Sequence, residues 1–213
     1  TAIVPYDPVR VDLLVSTVYS VLLAYRSCVL LYGVAVRIGD AVALVVGDCV
    51  AGGTTLADLG RNDVIADGLA VLCPSADGFI VHGTPFLGEV GHAPYVMRQV
   101  SAGSAPLGAL LLSRRDEVTE IRPPRTGSSL LEVLGYTHFF GPEEFSPDIY
   151  GLVESALLSR FAGELHWSPS ADLEPLLRDA VAAHASSNVM REHSATPSSS
   201  TVNAFPPGGH PPL

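Results

Sequence analysis

The chain contains no lysine: its twelve basic residues are all arginine, against 22 acidic residues. The resulting net charge of −10 argues against a nucleic-acid surface, because binding to phosphate backbones requires clustered lysine and arginine. The same charge disfavours attachment to an anionic membrane. We therefore expect neither nucleic acid nor membrane among the partners.

Long apolar runs and signal sequences are also missing. No run reaches the roughly 18 apolar residues that span a bilayer, and no basic segment followed by an apolar one opens the chain. The three cysteines, Cys28, Cys49 and Cys73, are odd in number and lack the C-x-x-C spacing of a zinc site. We interpret them as buried thiols in a reducing compartment, and we expect a cytoplasmic protein.

The composition that remains is typical of a globular protein. With 213 residues and 47% hydrophobic residues, the chain is long and apolar enough for one good core. Residues 186–213 are rich in serine, proline and glycine and offer too little apolar surface to fold. We therefore expect one α/β domain at residues 1–185 and a disordered tail at 186–213. The alternative for the tail is a proline-rich segment that binds a partner's groove.

Hydrophobic periodicity predicts the elements of the domain. Helices are predicted at residues 9–25, 128–139, 148–161 and 171–184. Strands are predicted at residues 28–36, 41–46, 63–66, 69–73 and 79–82, followed by a strand pair at 107–113 and 118–122 and an edge strand at 164–167. The expected fold is a mixed sheet with an N-terminal helix packed on it and a C-terminal helical subdomain.

One segment carries most of the functional information. Residues 47–55, GDCVAGGTT, follow the predicted strand at 41–46 and precede a short segment at 56–59. This is the strand–loop–helix order of a phosphate-binding P-loop, G-x-x-x-x-G-K-[ST], but a glycine stands where the motif has its lysine. The residues expected to contact a nucleotide are Gly47, Gly52, Gly53, Thr54 and Thr55.

The order of several motifs resembles that of the catalytic domain of HPr kinase/phosphorylase, whose nucleotide fold is shared with phosphoenolpyruvate carboxykinase. The matching segments are YGVAV at 32–36, GDCVAGGTT at 47–55, VIADG at 64–68, GTPFLGE at 83–89, APL at 105–107 and LHWSPSA at 165–171. The resemblance implies a P-loop nucleotide fold, an oligomeric protein and a protein or peptide as substrate or partner.

The departures from the family pattern decide the functional interpretation. Tyr32 stands where the family has histidine, Gly53 replaces the lysine, and Gly68 replaces the second aspartate of a pair. Thr54 and Asp67 remain, and these two would hold Mg²⁺.

Three residues are candidates for catalysis, and each also has a structural alternative. Asp67 is a carboxylate at a strand end, or simply a turn residue. Tyr32 occupies the family's histidine position, or is a core aromatic. Cys49 is a thiol close to a predicted helix N-terminus, a position that activates cysteine, or is a small loop residue.

Three functional hypotheses follow. The first is a non-catalytic, regulatory pseudokinase that requires no cofactor and binds Mg-ATP weakly. Catalysis is unexpected because losing one preorganised donor at the transferred phosphate lowers the reaction rate by roughly 10²–10³. The second is a kinase acting on a peptide or small-molecule hydroxyl, in which an arginine replaces the lysine. The candidates for that arginine are Arg61, Arg98 and Arg114.

The third hypothesis is an enzyme with new chemistry in the old nucleotide cleft. Its candidate residues are Asp48, Cys49, Asp67, His82, Glu89 and His92. We expect a homo-oligomer, most simply a dimer, or a stable complex with another protein, and the alternative is a monomer with a solvated tail. Its interface would use the helix at 9–25, the helix at 148–161 or the tail.

Overall fold

A computed structural model describes residues 8–47, 64–87, 103–124, 128–140, 143, 146–168 and 170–194. Their elements, in chain order, are α1 (Pro8–Ala24), β1 (Val29–Ile38), β2 (Ala41–Val46), β3 (Val64–Ser75), β4 (Gly78–Leu87), β5 (Ser104–Arg115), β6 (Glu120–Arg122), α2 (Ser128–Gly135), β7 (Thr137–His138), α3 (Ser146–Arg160), β8 (Phe161–Trp167) and α4 (Glu174–Ser194). The fold is mixed α/β, as predicted.

The eight strands form one mixed sheet. Its order is β2-β1-β3-β4-β5-β8-β6, with an added pairing of β2 to β5, and β7 pairs with β1. Strands β2, β5 and β8 are mutually parallel, since Val46 pairs with Leu112 and Leu112 pairs with Glu164. The carboxyl ends of these three strands therefore meet at one edge of the sheet.

Helices cover both faces of the sheet. On one face α2 and α3 bury residues such as Val133 and Val153 against the strands. On the other face α4 does the same through Leu177 and Ala180. A third cluster, which includes Leu30, lies beneath α1. The C-terminal helices are thus layers on the sheet and do not form a helical subdomain of their own.

Several predicted elements agree with the structure and others do not. Helix α1 and strands β1 and β2 lie within two residues of their predicted bounds. The two strands predicted at 63–66 and 69–73 are one strand, β3, because Gly68 at φ 132° lets the chain continue through a bulge. Helix α2 ends at Gly135, before the short strand β7, and α4 runs on to Ser194.

Two predicted strand placements were wrong. The segments at 107–113 and 118–122 do not pair with each other; β6 pairs with β8 instead. Strand β8 is not an edge strand, since it lies between β5 and β6. Trp167 at its end is fully buried, as an interior strand requires. A segment of four alternating residues does not reveal that it is covered on both sides.

The prediction of three free thiols was also wrong. Cys28 and Cys73 form a disulfide that joins β3 to the residue just before β1. Val29 pairs with Leu72, so the two cysteines stand directly opposite each other, with their Cα atoms 4.4 Å apart. That separation is typical of a non-hydrogen-bonded antiparallel pair. Their 45-residue separation in sequence gave no sign of this register.

Among the helices of the described ranges, none combines the length and the apolar character that crossing a bilayer requires.

Candidate functional site

The candidate phosphate loop begins at the carboxyl end of β2. Its first residue, Gly47, adopts φ 128°, a conformation that favours glycine. The Gly47 N–H donates a hydrogen bond to the carbonyl oxygen of Tyr32 at 3.1 Å. A Cβ at Gly47 would lie 3.2 Å from the Cβ of Ser113 in β5. The chain therefore leaves β2 through a glycine turn between β1 and β5.

Tyr32 and Asp67 approach this turn from the neighbouring strands. Val34 belongs to the apolar cluster beneath α4, so Tyr32, two residues earlier in β1, lies on the same face. Asp67 of β3 pairs directly with Val34 and shares that face. Both side chains are half-buried. The sheet thus gathers Tyr32, Asp67 and the start of the candidate loop on one face at one edge.

Ser113 of β5 completes this group of residues. It lies two residues beyond Leu111, which packs beneath α4, and therefore shares the face of Tyr32 and Asp67. The indole N–H of Trp167 donates a hydrogen bond to the Ser113 hydroxyl at 2.9 Å. This contact holds the hydroxyl beside Gly47, at the carboxyl ends of β2, β5 and β8.

The other predicted site residues are not brought together by the described part of the chain. His82 lies in β4 opposite Val71, three residues along β3 from Gly68. Asp48, Cys49, Gly52, Gly53, Thr54, Thr55, Glu89 and His92 lie outside the described residues, and so do Arg61 and Arg98.

Gly68, the position of the family's second aspartate, has φ 132°. Residues with a Cβ rarely adopt such a conformation, so an aspartate there would strain the backbone. Gly68 pairs with Gly33 of β1. A Cβ at Gly33 would lie 2.3 Å from the carbonyl oxygen of Val45. The backbone at position 68 therefore favours glycine, and an aspartate there would both add a carboxylate and strain the backbone.

The hydroxyl of Tyr32 and Nδ1 of His138 lie 2.8 Å apart, within hydrogen-bonding distance. His138 is 4% exposed, and its Nε2 has no hydrogen-bond partner among the described residues. The ring of Phe140 packs edge-on against it, with centroids 4.8 Å apart. Burial lowers the pKa of His138 and favours the neutral imidazole. Sequence reasoning missed this pair because 106 residues separate its members.

The fold should lose stability in mild acid. Burial lowers the pKa of His138, and burial together with the charge of Arg160 lowers that of His184. The unfolded chain therefore takes up protons below about pH 6.5 that the folded chain does not bind, so stability is retained above that pH and falls below it. We expect thermal unfolding midpoints to drop between about pH 7.5 and pH 5.5. The double variant His138→Gln/His184→Gln should show a smaller drop; an unchanged drop would contradict this explanation.

The opposite face of the same sheet edge carries a network of charged side chains. Glu164 of β8 is 1% exposed and lies 3.6 Å from Nε of Arg114 and 3.5 Å from Nε2 of His166. Arg114 also pairs with Glu132 of α2. Burial alone would lower the pKa of Arg114, but the contacts with Glu132 and Glu164 outweigh it and raise the pKa. Arg114 is therefore held by two carboxylates on the face away from Tyr32.

His166 extends this network towards solvent. Its Nδ1 lies 2.8 Å from a carboxylate oxygen of Asp116, and that hydrogen bond is the main cause of the lowered pKa of Asp116. An adjacent cavity of about 650 Å³ is lined by Arg115, Asp116, Glu117 and Ser168. Glu164 and His166 alternate with Leu165 and Trp167, and this alternation of polar and apolar residues is the signal for the network in the sequence.

No match to this chain was found among protein-family models, curated proteins or solved structures. The resemblance to HPr kinase/phosphorylase therefore depends on the order of the sequence motifs alone.

Proposed function

We propose that this protein is a non-catalytic binding or regulatory protein built on an HPr-kinase-like nucleotide fold. The observation that carries the proposal is the position of Gly47. It begins the candidate phosphate loop at the carboxyl end of a buried parallel strand, in a chain that has no lysine to complete the loop. Open α/β sheets bind ligands at the carboxyl ends of their strands, so the location fits an inherited ligand site.

The chemistry of phosphoryl transfer favours binding over catalysis. Catalysis of this reaction consists almost entirely of positioning and of neutralising charge on the transferred phosphate. Lysine is absent from the whole sequence, and Gly68 occupies the position of the family's second aspartate. Tyr32, in place of the family's histidine, is within hydrogen-bonding distance of the largely buried His138. These replacements remove a cation, a carboxylate and an imidazole from one site.

The arginine-assisted kinase is the weaker alternative. Arg114, one of its three candidate residues, is paired with Glu132 and Glu164. Glu164 is 1% exposed. If Arg114 moved to a phosphate, the carboxylate of Glu164 would stay buried without its counterion, which is energetically unfavourable. Under our proposal, Thr54 and Asp67 would hold Mg²⁺ when nucleotide binds, and the biological ligand is a protein or peptide partner.

Calorimetric titration with Mg-ATP tests the proposal. We expect wild-type protein to bind with a dissociation constant weaker than about 10 μM, because backbone N–H groups and the helix dipole alone supply at most about 2 kcal/mol. Gly53→Lys should strengthen binding at least about tenfold by restoring a charge-assisted phosphate contact, and adding Asp67→Ala to that variant should reverse the gain.

A matched control separates a local effect from a general change in charge. Gly135→Lys adds the same cation at an exposed position where a new side chain meets no atom within 4 Å, and it should leave the affinity unchanged. Gly68→Asp, which puts back the family's second aspartate, should destabilise the fold by about 1–2 kcal/mol because residue 68 has a φ of 132°. Tight wild-type binding would show that another residue has replaced the lysine.

The cellular compartment belongs to the same proposal. The composition favours the cytoplasm, whereas the Cys28–Cys73 disulfide is typical of oxidising compartments. A count of free thiols decides between the two compartments. The protein is taken from the cells that naturally make it, quenched at once with acid, and titrated denatured and without reductant. Three thiols would mean that the disulfide is reduced in the cell and would support the cytoplasm. A single thiol, Cys49, would support an oxidising compartment.

A further inference from the structure

Helix α1 is apolar on the side that it turns to solvent. Six large apolar side chains on or just after it are exposed: Leu14 by 63%, Val15 by 47%, Val18 by 51%, Tyr19 by 41%, Leu22 by 58% and Tyr25 by 65%. The side packed on the sheet carries the small residues Ser16 at 3%, Ser20 at 2% and Ala24 at 4% exposure, together with the partly buried Leu23. A surface helix normally has the reverse arrangement, with its large apolar residues facing the core.

The exposed residues are spaced as in a helix–helix interface. Val15, Val18, Leu22 and Tyr25 follow one another at intervals of three, four and three residues, which is the a/d spacing of a coiled-coil seam. Leu14 and the half-exposed Tyr19 flank this seam. The ring of Tyr19 also contacts Phe86 of β4, with centroids 5.7 Å apart, and this contact anchors the helix on the sheet.

The size of this surface fits a dimer interface. Side chains of this kind expose on the order of 100–200 Å² each when free, so six that are about half exposed present on the order of 500 Å². The largest apolar patch of a typical monomer is about 300–600 Å². A standard interface buries about 800 Å² on each partner, so the α1 stripe is large enough to form its apolar centre.

The chemistry of the helix favours a second copy of this chain over a membrane. Helices that lie in a membrane interface carry a polar face rich in lysine and arginine. The charged residues of α1 are Arg10 and Asp12, its inward face carries serine, and the whole chain has a net charge of −10. A two-fold axis would place the same stripe on both partners, and a seam of this spacing is complementary to itself.

We propose that two copies of this protein form a symmetric dimer in which their α1 helices pack against each other along Val15, Val18 and Leu22. None of these three residues belongs to the candidate ligand site at the carboxyl ends of β2 and β5. The dimer can therefore be tested separately from nucleotide binding.

Light scattering of the full chain after size-exclusion chromatography tests the dimer. Wild-type protein should have twice the monomer mass of 22.3 kDa. The variant Val18→Glu/Leu22→Glu should elute with half the wild-type mass and an unchanged circular dichroism spectrum, because both positions are exposed and glutamate is a good helix former. Leu158→Glu, at a leucine of α3 that is 80% exposed, is the matched control and should remain dimeric.

Cross-linking gives a readout that does not depend on a disruptive variant. In a Cys49→Ser background, Val18→Cys should form covalent dimers with a short bis-maleimide, whereas Leu158→Cys should not. A wild-type protein that is monomeric at every concentration would overturn the proposal. It would do so even if a variant without residues 195–213 formed dimers. A dimer that survives Val18→Glu/Leu22→Glu would overturn it as well, and so would a monomer that binds anionic vesicles through the same residues.

Discussion

Replacing Glu164 with glutamine is expected to destabilise the fold by about 3 kcal/mol, because it removes the negative charge that faces Arg114 and leaves a neutral amide at a position that is 1% exposed. The effect should fall at the low end of the range for broken buried ion pairs, since Arg114 keeps its contact with Glu132. Urea unfolding at neutral pH measures the change in the free energy of unfolding.

The matched control for this substitution is Glu120→Gln. Glu120 accepts a hydrogen bond from Nε of Arg122 at 2.7 Å, but its side chain is 48% exposed. Surface pairs of this kind contribute about 1 kcal/mol or less, so we expect a small change. Equal effects of the two substitutions would contradict the account of Glu164 as a buried charge within a network.

Gly33→Ala should also lower the free energy of unfolding by about 3 kcal/mol, at the upper end of the range for overpacked cores. Its Cβ would lie 2.3 Å from the carbonyl oxygen of Val45 and 3.0 Å from Cα of Val46, and neither backbone atom can move without shifting β2. The same shift would displace Gly47, the first residue of the candidate loop. Chemical denaturation, followed by circular dichroism, measures the loss.

Gly151→Ala is the matched control for this prediction. Gly151 lies in α3, and a Cβ added there meets no atom within 4 Å. Alanine in place of a helical glycine is expected to stabilise the protein by about 0.5–1 kcal/mol. The two glycine substitutions should therefore change stability in opposite directions. Similar losses for both would mean that the close approach of β1 and β2 is not the cause.

The sequence was most informative where local patterns decide the structure. The apolar periodicity of α1 and the β-branched runs of β1 and β2 identified these elements to within two residues. Longer-range pairing was not predictable from such patterns. Nothing in the alternation of residues 164–167 indicates that β6 closes the outer side of β8, or that Cys28 stands opposite Cys73. These features depend on strand register across segments far apart in sequence.

The candidate site was predictable only in part, because local motifs show in the sequence whereas contacts between distant segments do not. Motif order identified Tyr32, Asp67 and Gly47, and the sheet places them on adjacent strands at one edge. The partners of these and neighbouring residues were not predictable. His138 reaches Tyr32 only because β7 pairs with β1, and Asp116 reaches His166 only because β5 and β8 end together. The sequence also gives no sign that residue 68 has a φ of 132°, which favours glycine over aspartate.

Transfer of the γ-phosphate from Mg-ATP, to water or to a serine-containing peptide, tests the central claim most directly. A non-catalytic protein should release or transfer no more phosphate than its Asp67→Ala variant does, with both proteins prepared and assayed side by side. Phosphate transfer by wild-type protein that is lost on Asp67→Ala would contradict the account, because it would show that the site catalyses the reaction without a lysine.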